Sequence, residues 1–182
     1  MDADPRFALH HRSEVLLAVD PARLFAHLDD HRRLSSHMEK PSLMTAGASM
    51  RIETDNRHGQ VLGSVIRMTG RVFGLRLSLE EVVTAYEPPR HKAWETVGEP
   101  RLLVIGGYRM GFEIDPAPGG SRLVVFIDYR LPAKGLSLLL GRVLGGAYAA
   151  WCTRRMAEDA RAVFGVPSPT SKGRSLDEHR QD

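Results

Sequence analysis

Residues 101–132 read RLLVIGGYRMGFEIDPAPGGSRLVVFIDYRLP, and residues 135–164 read GLSLLLGRVLGGAYAAWCTRRMAEDARAVF. In the first segment apolar and polar residues alternate on both sides of the Pro116–Gly120 turn, as expected for two half-buried strands joined as a hairpin. In the second segment the apolar period changes to that of a helix. A hairpin followed by one long apolar helix predicts a sheet closed by a C-terminal helix. We expect such a molecule to enclose apolar space between the two.

The residues before this segment predict further strands and two short helices. The Asp20-Pro21 pair follows the first strand and begins a helix over residues 21–28, because Asp is a good N-cap and Pro suits the first helical position. A second short helix is predicted over residues 31–38. Alternation predicts seven strands, near residues 13–19, 48–54, 60–69, 75–87, 91–97, 102–114 and 122–131. The predicted fold class is therefore α+β, a bent antiparallel sheet of about seven strands around a long C-terminal helix.

Two local irregularities bear on the shape of the sheet and the helix. The alternation slips at Glu80-Glu81, which predicts a bulge with both carboxylates in water. In the helix, the predicted inward stripe is Leu140, Leu144, Tyr148, Cys152, Met156, Ala160 and Val163. The helix interior also holds Gly141, Gly145 and Gly146, each costing about 1 kcal/mol relative to alanine. Either open volume beneath the helix or a close contact with the sheet would explain them.

Composition limits the class of protein. A chain of 182 residues with 42% apolar and 26% charged residues fits one soluble domain, which we place at 1–165, followed by a disordered tail at 166–182. A single cysteine excludes an internal disulfide. The N-terminus lacks the features of a signal peptide, and the most apolar segment carries Arg142, so we expect a cytoplasmic protein without stable membrane insertion.

Charge and spacing also limit the partners. The net charge of +3 comes from scattered arginines rather than a basic stripe, so no nucleic-acid partner is expected. His27 and His31 stand four residues apart, but Asp29-Asp30 interrupts the helix and no H-E-x-x-H pattern is present. We predict no metal and no cofactor, and the oligomeric state stays open.

The order of elements resembles the helix-grip fold of the START-like (SRPBCC) superfamily, and its polyketide cyclase/dehydrase branch in particular. The resemblance covers residues 13–164 and rests on Val19–Phe25, Glu80–Val83, Glu87–Pro89, Gly119–Leu123 and Asp128–Pro132. It implies a cavity between sheet and helix for lipids, sterols, polyketides or other apolar molecules, and in some branches their cyclisation or dehydration. Many members carry a tryptophan segment after the position of Asp30, whereas residues 32–37 are polar here.

We therefore predict a binder of a small hydrophobic ligand, lipid-like or polyketide-like. Apolar and aromatic side chains suit such a pocket. The predicted ligand-binding residues are Met50, Met68, Trp94, Tyr108, Met110, Phe112, Ile127, Tyr129, Leu144, Tyr148 and Trp151.

Two alternatives stay open. A polyketide aromatase/cyclase or dehydratase in the same cavity needs a proton donor and acceptor, for which Tyr129, His91 and Arg67 are the candidates. The second alternative is an interaction protein whose cavity is collapsed.

Overall fold

The computed structural model describes residues 6–30, 49–72 and 75–167, with the backbone alone described for Ser49, Met50 and Val72. The strands are β1 (Leu9–Leu17), β2 (Ser49–Thr54), β3 (Val65–Val72), β4 (Leu75–Glu87), β5 (His91–Arg101), β6 (Gly107–Ala117) and β7 (Gly120–Arg130). The helices are α1 (Pro21–Leu28) and α2 (Gly135–Phe164). The strands form one antiparallel sheet in the order β1-β7-β6-β5-β4-β3-β2, which confirms the predicted helix-grip architecture.

The ends of both helices follow from local chemistry. Asp20 Oδ1 accepts a hydrogen bond from the Arg23 amide at 2.9 Å, and Pro21 occupies the first turn of α1. At the end of α2, Gly165 has a φ of 69° and donates its amide hydrogen to the Arg161 carbonyl. Both helices thus have the predicted bounds. The predicted second short helix and the predicted tail from residue 168 onward lie outside the described residues.

The sheet has two unlike faces. The inner face carries the main apolar cluster, in which the α1 and α2 side chains pack against β5, β6 and β7. A smaller cluster on the same face joins Ile66, Met68, Leu79 and Val83. The pairing of β4 with β5 shifts register between Ser78 and Glu80, where the extra residues lie on β5, and again between Val83 and Ala85. The extra residue of β4 is therefore Thr84 rather than the predicted Glu80-Glu81.

The inner face of α2 differs from the prediction in its first half. Gly141, Gly145 and Ala149 face the sheet, whereas Leu144 is 46% exposed. In the second half Cys152, Met156 and Ala160 are buried as predicted, while Val163 is exposed. Arg142 is the only charged residue in the first half, so periodicity gave little guidance on which side turns inward.

The glycines of α2 mark a close approach to the sheet. A Cβ atom at Gly141 would lie 2.8 Å from Pro132 Cδ and 2.9 Å from the Val104 carbonyl oxygen. At Gly145 it would lie 3.2 Å from Leu131 Cδ2 and from the same carbonyl. Of the two explanations for these glycines, open volume beneath the helix was therefore wrong. They allow a tight contact between the helix and the sheet.

Candidate functional site

The inner face of the sheet forms an apolar wall, built from rows of cross-strand neighbours. Trp94, Met110 and Ile127 are paired in one row across β5, β6 and β7, and Tyr108 is paired with Tyr129 in another. Phe112 packs edge-on against Trp94 and against Phe25 of α1, with ring centroids 6.5 and 5.5 Å apart. These residues belong to the main cluster under α2, as their alternation predicted.

A polar strip crosses this apolar wall between the two clusters; we define it as Glu81, Tyr108, Tyr86, Lys92 and Asp29. Tyr86 and Tyr108 are half-buried and contact both clusters. Glu81 and Lys92 are fully buried. Such residues are rarely found inside a protein unless they are paired.

The first pair in the strip joins Tyr108 to Glu81. The Tyr108 hydroxyl donates a hydrogen bond to Glu81 Oε1. Burial, and then the Glu81 carboxylate, hold the pKa of Tyr108 well above its usual value, so the phenol stays protonated as a donor. The expectation that Glu81 is in water was wrong. Leu79, Glu81 and Val83 alternate inward along β4, so Glu80 lies on the outer face, where it binds Arg67 at 2.7 Å.

The second group is centred on Asp29, which directly follows α1. Lys92 Nζ donates to Asp29 Oδ1 at 2.6 Å and to its carbonyl oxygen at 3.2 Å, and the Tyr86 hydroxyl donates to Asp29 Oδ2 at 2.8 Å. Burial lowers the pKa of Lys92, and the hydrogen bond to Asp29 partly opposes that effect. The carboxylate of Glu81 lies close enough to act on Lys92 in the same direction as Asp29.

α2 contributes Tyr148 and Cys152 to the rim of the strip. A hydrogen bond joins their side chains, and Glu81 acts on Tyr148 electrostatically. Burial raises the pKa of the Cys152 thiol to about 12. Tyr148 also contacts Trp151, with ring centroids 5.9 Å apart, and both rings are half-buried. Cys152 is therefore an inert core thiol, as predicted.

The predicted ligand-binding residues fall into three groups. One group lines the inner face or α2 beside the strip: Met68, Trp94, Tyr108, Met110, Phe112, Ile127, Tyr129, Tyr148 and Trp151. Leu144 points away from the sheet. The side chain of Met50 lies outside the described part of the chain.

The three predicted catalytic residues are not brought together. Tyr129 is buried on the inner face beneath α2, where burial raises its pKa. His91 stacks on Phe126 on the outer face at 6.3 Å, and burial lowers its pKa. Arg67 is also on the outer face, bound to Glu80. Placing His91 and Arg67 in the cavity was wrong, because each is adjacent to the inward residue of its strand.

Sequence analysis missed Glu81, Lys92, Tyr86 and Asp29. A signal existed for Lys92, since it stands two residues before the inward Trp94 and alternation puts both on one face. Glu81 stands in the same way two residues before the buried Val83. Asp29 offered no such signal, because it lies after a helix end.

A metal site is not formed by the described residues. Within 6–30, 49–72 and 75–167, no three His, Cys, Asp or Glu side chains are grouped to hold a metal ion. The His27 ring packs edge-on against Phe164 at 5.0 Å. His31 lies outside the described residues.

The family described as "Polyketide cyclase / dehydrase and lipid transport" matches residues 9–162. No curated protein matches the chain by sequence. Among solved structures, TTHA0849 from Thermus thermophilus is 14% identical, with a TM-score of 0.59 over 85% of this chain and 99% of that one. Ara h 8.0201 is also 14% identical, with a TM-score of 0.54 over 85% of this chain and 98% of that one.

A third solved structure is the di-domain ARO/CYC StfQ from the steffimycin biosynthetic pathway. It is 12% identical, with a TM-score of 0.61 over 86% of this chain and 50% of that one. At such identities the structural likeness concerns the fold alone. The sequence match, in contrast, extends from the start of β1 almost to the end of α2. The chain therefore belongs to the polyketide cyclase/dehydrase and lipid transport family, within the START-like helix-grip superfamily.

Proposed function

We propose that the protein binds a small apolar ligand on the inner face of the sheet, with a polar group of the ligand directed at Glu81 and Tyr108. The observation that carries this proposal is the polar strip within an otherwise apolar wall. Ligand sites commonly combine apolar walls with a few placed polar groups. The description of the family, which names lipid transport, supports the same class of ligand.

The chemistry of Glu81 and Tyr108 limits which polar group of a ligand they can bind. Tyr108 has one hydroxyl proton, which it already donates to Glu81, so its oxygen is left to accept a hydrogen bond from a ligand hydroxyl. The Glu81 carboxylate accepts from a hydroxyl. A ligand with a hydroxyl at one end of a hydrocarbon body matches both acceptors, whereas a pure hydrocarbon would leave the pair unused.

Binding is tested with the neutral apolar dye N-phenyl-1-naphthylamine, displaced by a long-chain alcohol or by the matching alkane. We expect saturable dye binding and stronger displacement by the alcohol. Tyr108→Phe and Glu81→Gln should each reduce the preference for the alcohol about tenfold, the value of one hydrogen bond to a charged group. His91→Ala and Arg67→Ala change the outer face and serve as matched controls. Equal effects of inner and outer substitutions, or no saturable binding, would contradict the proposal.

A second candidate function is cyclisation of a poly-β-ketone by the same pair. The observation that favours it is a carboxylate hydrogen-bonded to a phenol in a buried site, which suits general base and general acid roles. Glu81 would take a proton from the carbon between two carbonyls, and that carbon would bond to another carbonyl carbon. The oxygen of that carbonyl would receive the Tyr108 proton, and the protonated Glu81 would then return a proton to Tyr108.

Turnover separates the two functions. If the cyclase function holds, Glu81→Gln should lower the rate of cyclisation of a synthetic poly-β-ketone by about 100-fold or more while the dye still binds. A rate equal to that of the unmodified protein would exclude Glu81 as the base. Dye binding without any turnover would leave ligand binding as the function.

A further inference from the structure

The outward face of α2 changes character halfway along the helix. In the first half, Leu136, Leu139 and Val143 are 70%, 60% and 71% exposed. Their spacing of three and four residues puts them on one side of the helix, opposite the inward Gly141 and Gly145. In the second half, the same side carries Arg154, Glu158 and Arg161, as is usual for a helix face in water.

These apolar side chains form a group rather than a scatter. Single exposed apolar residues are ordinary on protein surfaces, but a contiguous apolar patch marks an interaction site. α2 is long and apolar enough to cross a membrane, a property that it shares with core helices of soluble proteins. Among the described residues, α2 packs against β1 and β7 on its inner side, which leaves its outward side to meet a partner.

The charged residues along the chain near the patch are all basic. Between Asp128 and Glu158 the chain carries Arg130, Lys134, Arg142, Arg154 and Arg155 and no acidic residue. The loop of residues 102–106, whose Val104 carbonyl contacts α2, carries no charge. An apolar helix face flanked by basic residues fits the surface of an anionic bilayer, where leucines enter the headgroup region and basic side chains meet lipid phosphates.

We propose that the first half of α2 docks the protein on anionic phospholipid membranes as a peripheral contact. The docking face consists of Leu136, Leu139, Val143 and Leu144, with Lys134 and Arg142 as its cationic flank. This contact is separate from the polar strip and needs no ligand. The same half of α2 covers Tyr129 and Leu131, so the docked molecule holds that end of the inner face toward the bilayer.

The test is flotation of the full chain with phosphatidylcholine vesicles that contain either no phosphatidylglycerol or about 30% of it. We expect binding to the anionic vesicles, weak binding to the neutral ones, and loss of binding at high salt. Val143→Asp and Leu139→Asp should each lower the bound fraction about tenfold or more. Val163→Asp is the matched control, since Val163 is 58% exposed at the other end of the same helix.

The role of the basic side chains is tested with Arg142→Glu, which should weaken binding to anionic vesicles about tenfold. Arg161→Glu is its control in the second half of α2 and should have little effect. Thermal unfolding of each variant shows whether it is still folded. Dimerisation lost in Val143→Asp would identify a second copy as the occupant and overturn the proposal. A second outcome would also overturn the proposal: the unmodified protein does not bind vesicles, and Leu139→Asp strongly lowers the melting temperature. That result would show that the chain itself covers this face of α2.

Discussion

At the scale of single residues, neighbouring side chains on one strand have opposite environments. Glu80 forms an ion pair with the exposed Arg67, while Glu81 is buried against Tyr108. His91 stacks on the outer face, while Lys92 is buried against Asp29. Alternation along a strand explains each pair once the direction of one member is known. The charged side chains that these two strands turn to the inner face are therefore Glu81 and Lys92 rather than the adjacent Glu80 and His91.

Cys152 provides a test of the buried interior at this scale. Burial raises the pKa of its thiol to about 12, so the thiol stays protonated at pH 8. We expect the native protein to react with Ellman's reagent about 100-fold or more slowly than the same protein unfolded in guanidinium chloride. Because the chain has one cysteine, the signal needs no assignment. Fast and complete reaction of the native protein would contradict the burial of this thiol.

At the scale of elements, α2 is a helix whose two halves serve different contacts. Its second half buries ordinary core side chains, whereas its first half brings the backbone close to the loop before β6 and to the chain after β7. Glycine allows that approach, although it lowers the helix propensity of the segment. The contact also sets which side of the helix faces outward.

Substitution of the helix glycines by alanine should have effects of opposite sign. Gly141→Ala gains about 1 kcal/mol of helix propensity but places a Cβ against Pro132 and the Val104 carbonyl, and we expect a net loss of about 1–2 kcal/mol. Gly146→Ala is the matched control, because its Cβ would have the Tyr129 hydroxyl as nearest neighbour at 3.7 Å. That variant should gain about 0.5–1 kcal/mol. Urea unfolding measures both values, and a stabilising Gly141→Ala would contradict the close contact.

The turn between β2 and β3 makes stability depend on pH. The Asp55 carboxylate accepts hydrogen bonds from the Ser64 hydroxyl at 2.6 Å and from the Val65 amide at 3.0 Å, and these bonds hold its pKa well below the usual value. The pKa is lower in the folded state, so the contribution is complete above the unfolded value of about 3.9. It is lost as the pH falls below that value toward the folded pKa.

We therefore expect the melting temperature to fall as the pH is lowered below about 4, with Asp55 as one contributor. Asp55→Asn should be less stable than the unmodified protein at neutral pH and should show a shallower decline in acid. Asp115→Asn is a suitable comparison, because Asp115 is a surface acid with an ion pair to Arg122. Parallel pH profiles for Asp55→Asn and the unmodified protein would rule out this role.

At the scale of the whole molecule, the polar strip connects parts that are distant in sequence. Lys92 on β5 and Tyr86 on β4 both bind Asp29, which lies just after α1. The small cluster near β3 and the main cluster under α2 meet at Tyr86 and Tyr108. The strip thus joins α1 to the sheet and separates the two apolar clusters.

Removing one member of the buried ion pair should destabilise the whole molecule. Lys92→Met leaves the Asp29 carboxylate without its cation, and we expect a loss of about 3 kcal/mol or more in urea unfolding. Adding Asp29→Asn removes the remaining charge and keeps an acceptor for Tyr86, so the double variant should recover at least half of that loss. Additive losses in the double variant would show that the two residues act independently.

The sequence alone determined the order of the strands along the chain, the bounds of both helices and the Gly119-Gly120 hairpin, because caps, turns and periodicity act over a few neighbouring residues. It also assigned the apolar wall of β6 and β7 to one face. Only the tertiary structure decided that the Glu81 carboxylate is buried, because its partner Tyr108 lies 27 residues further along the chain and meets it only in the folded sheet. The rotation of α2 was decided in the same way. Its first half has a single charged residue, Arg142, and Gly141 and Gly145 take the inward side because their small surface lets the helix approach the Val104 carbonyl.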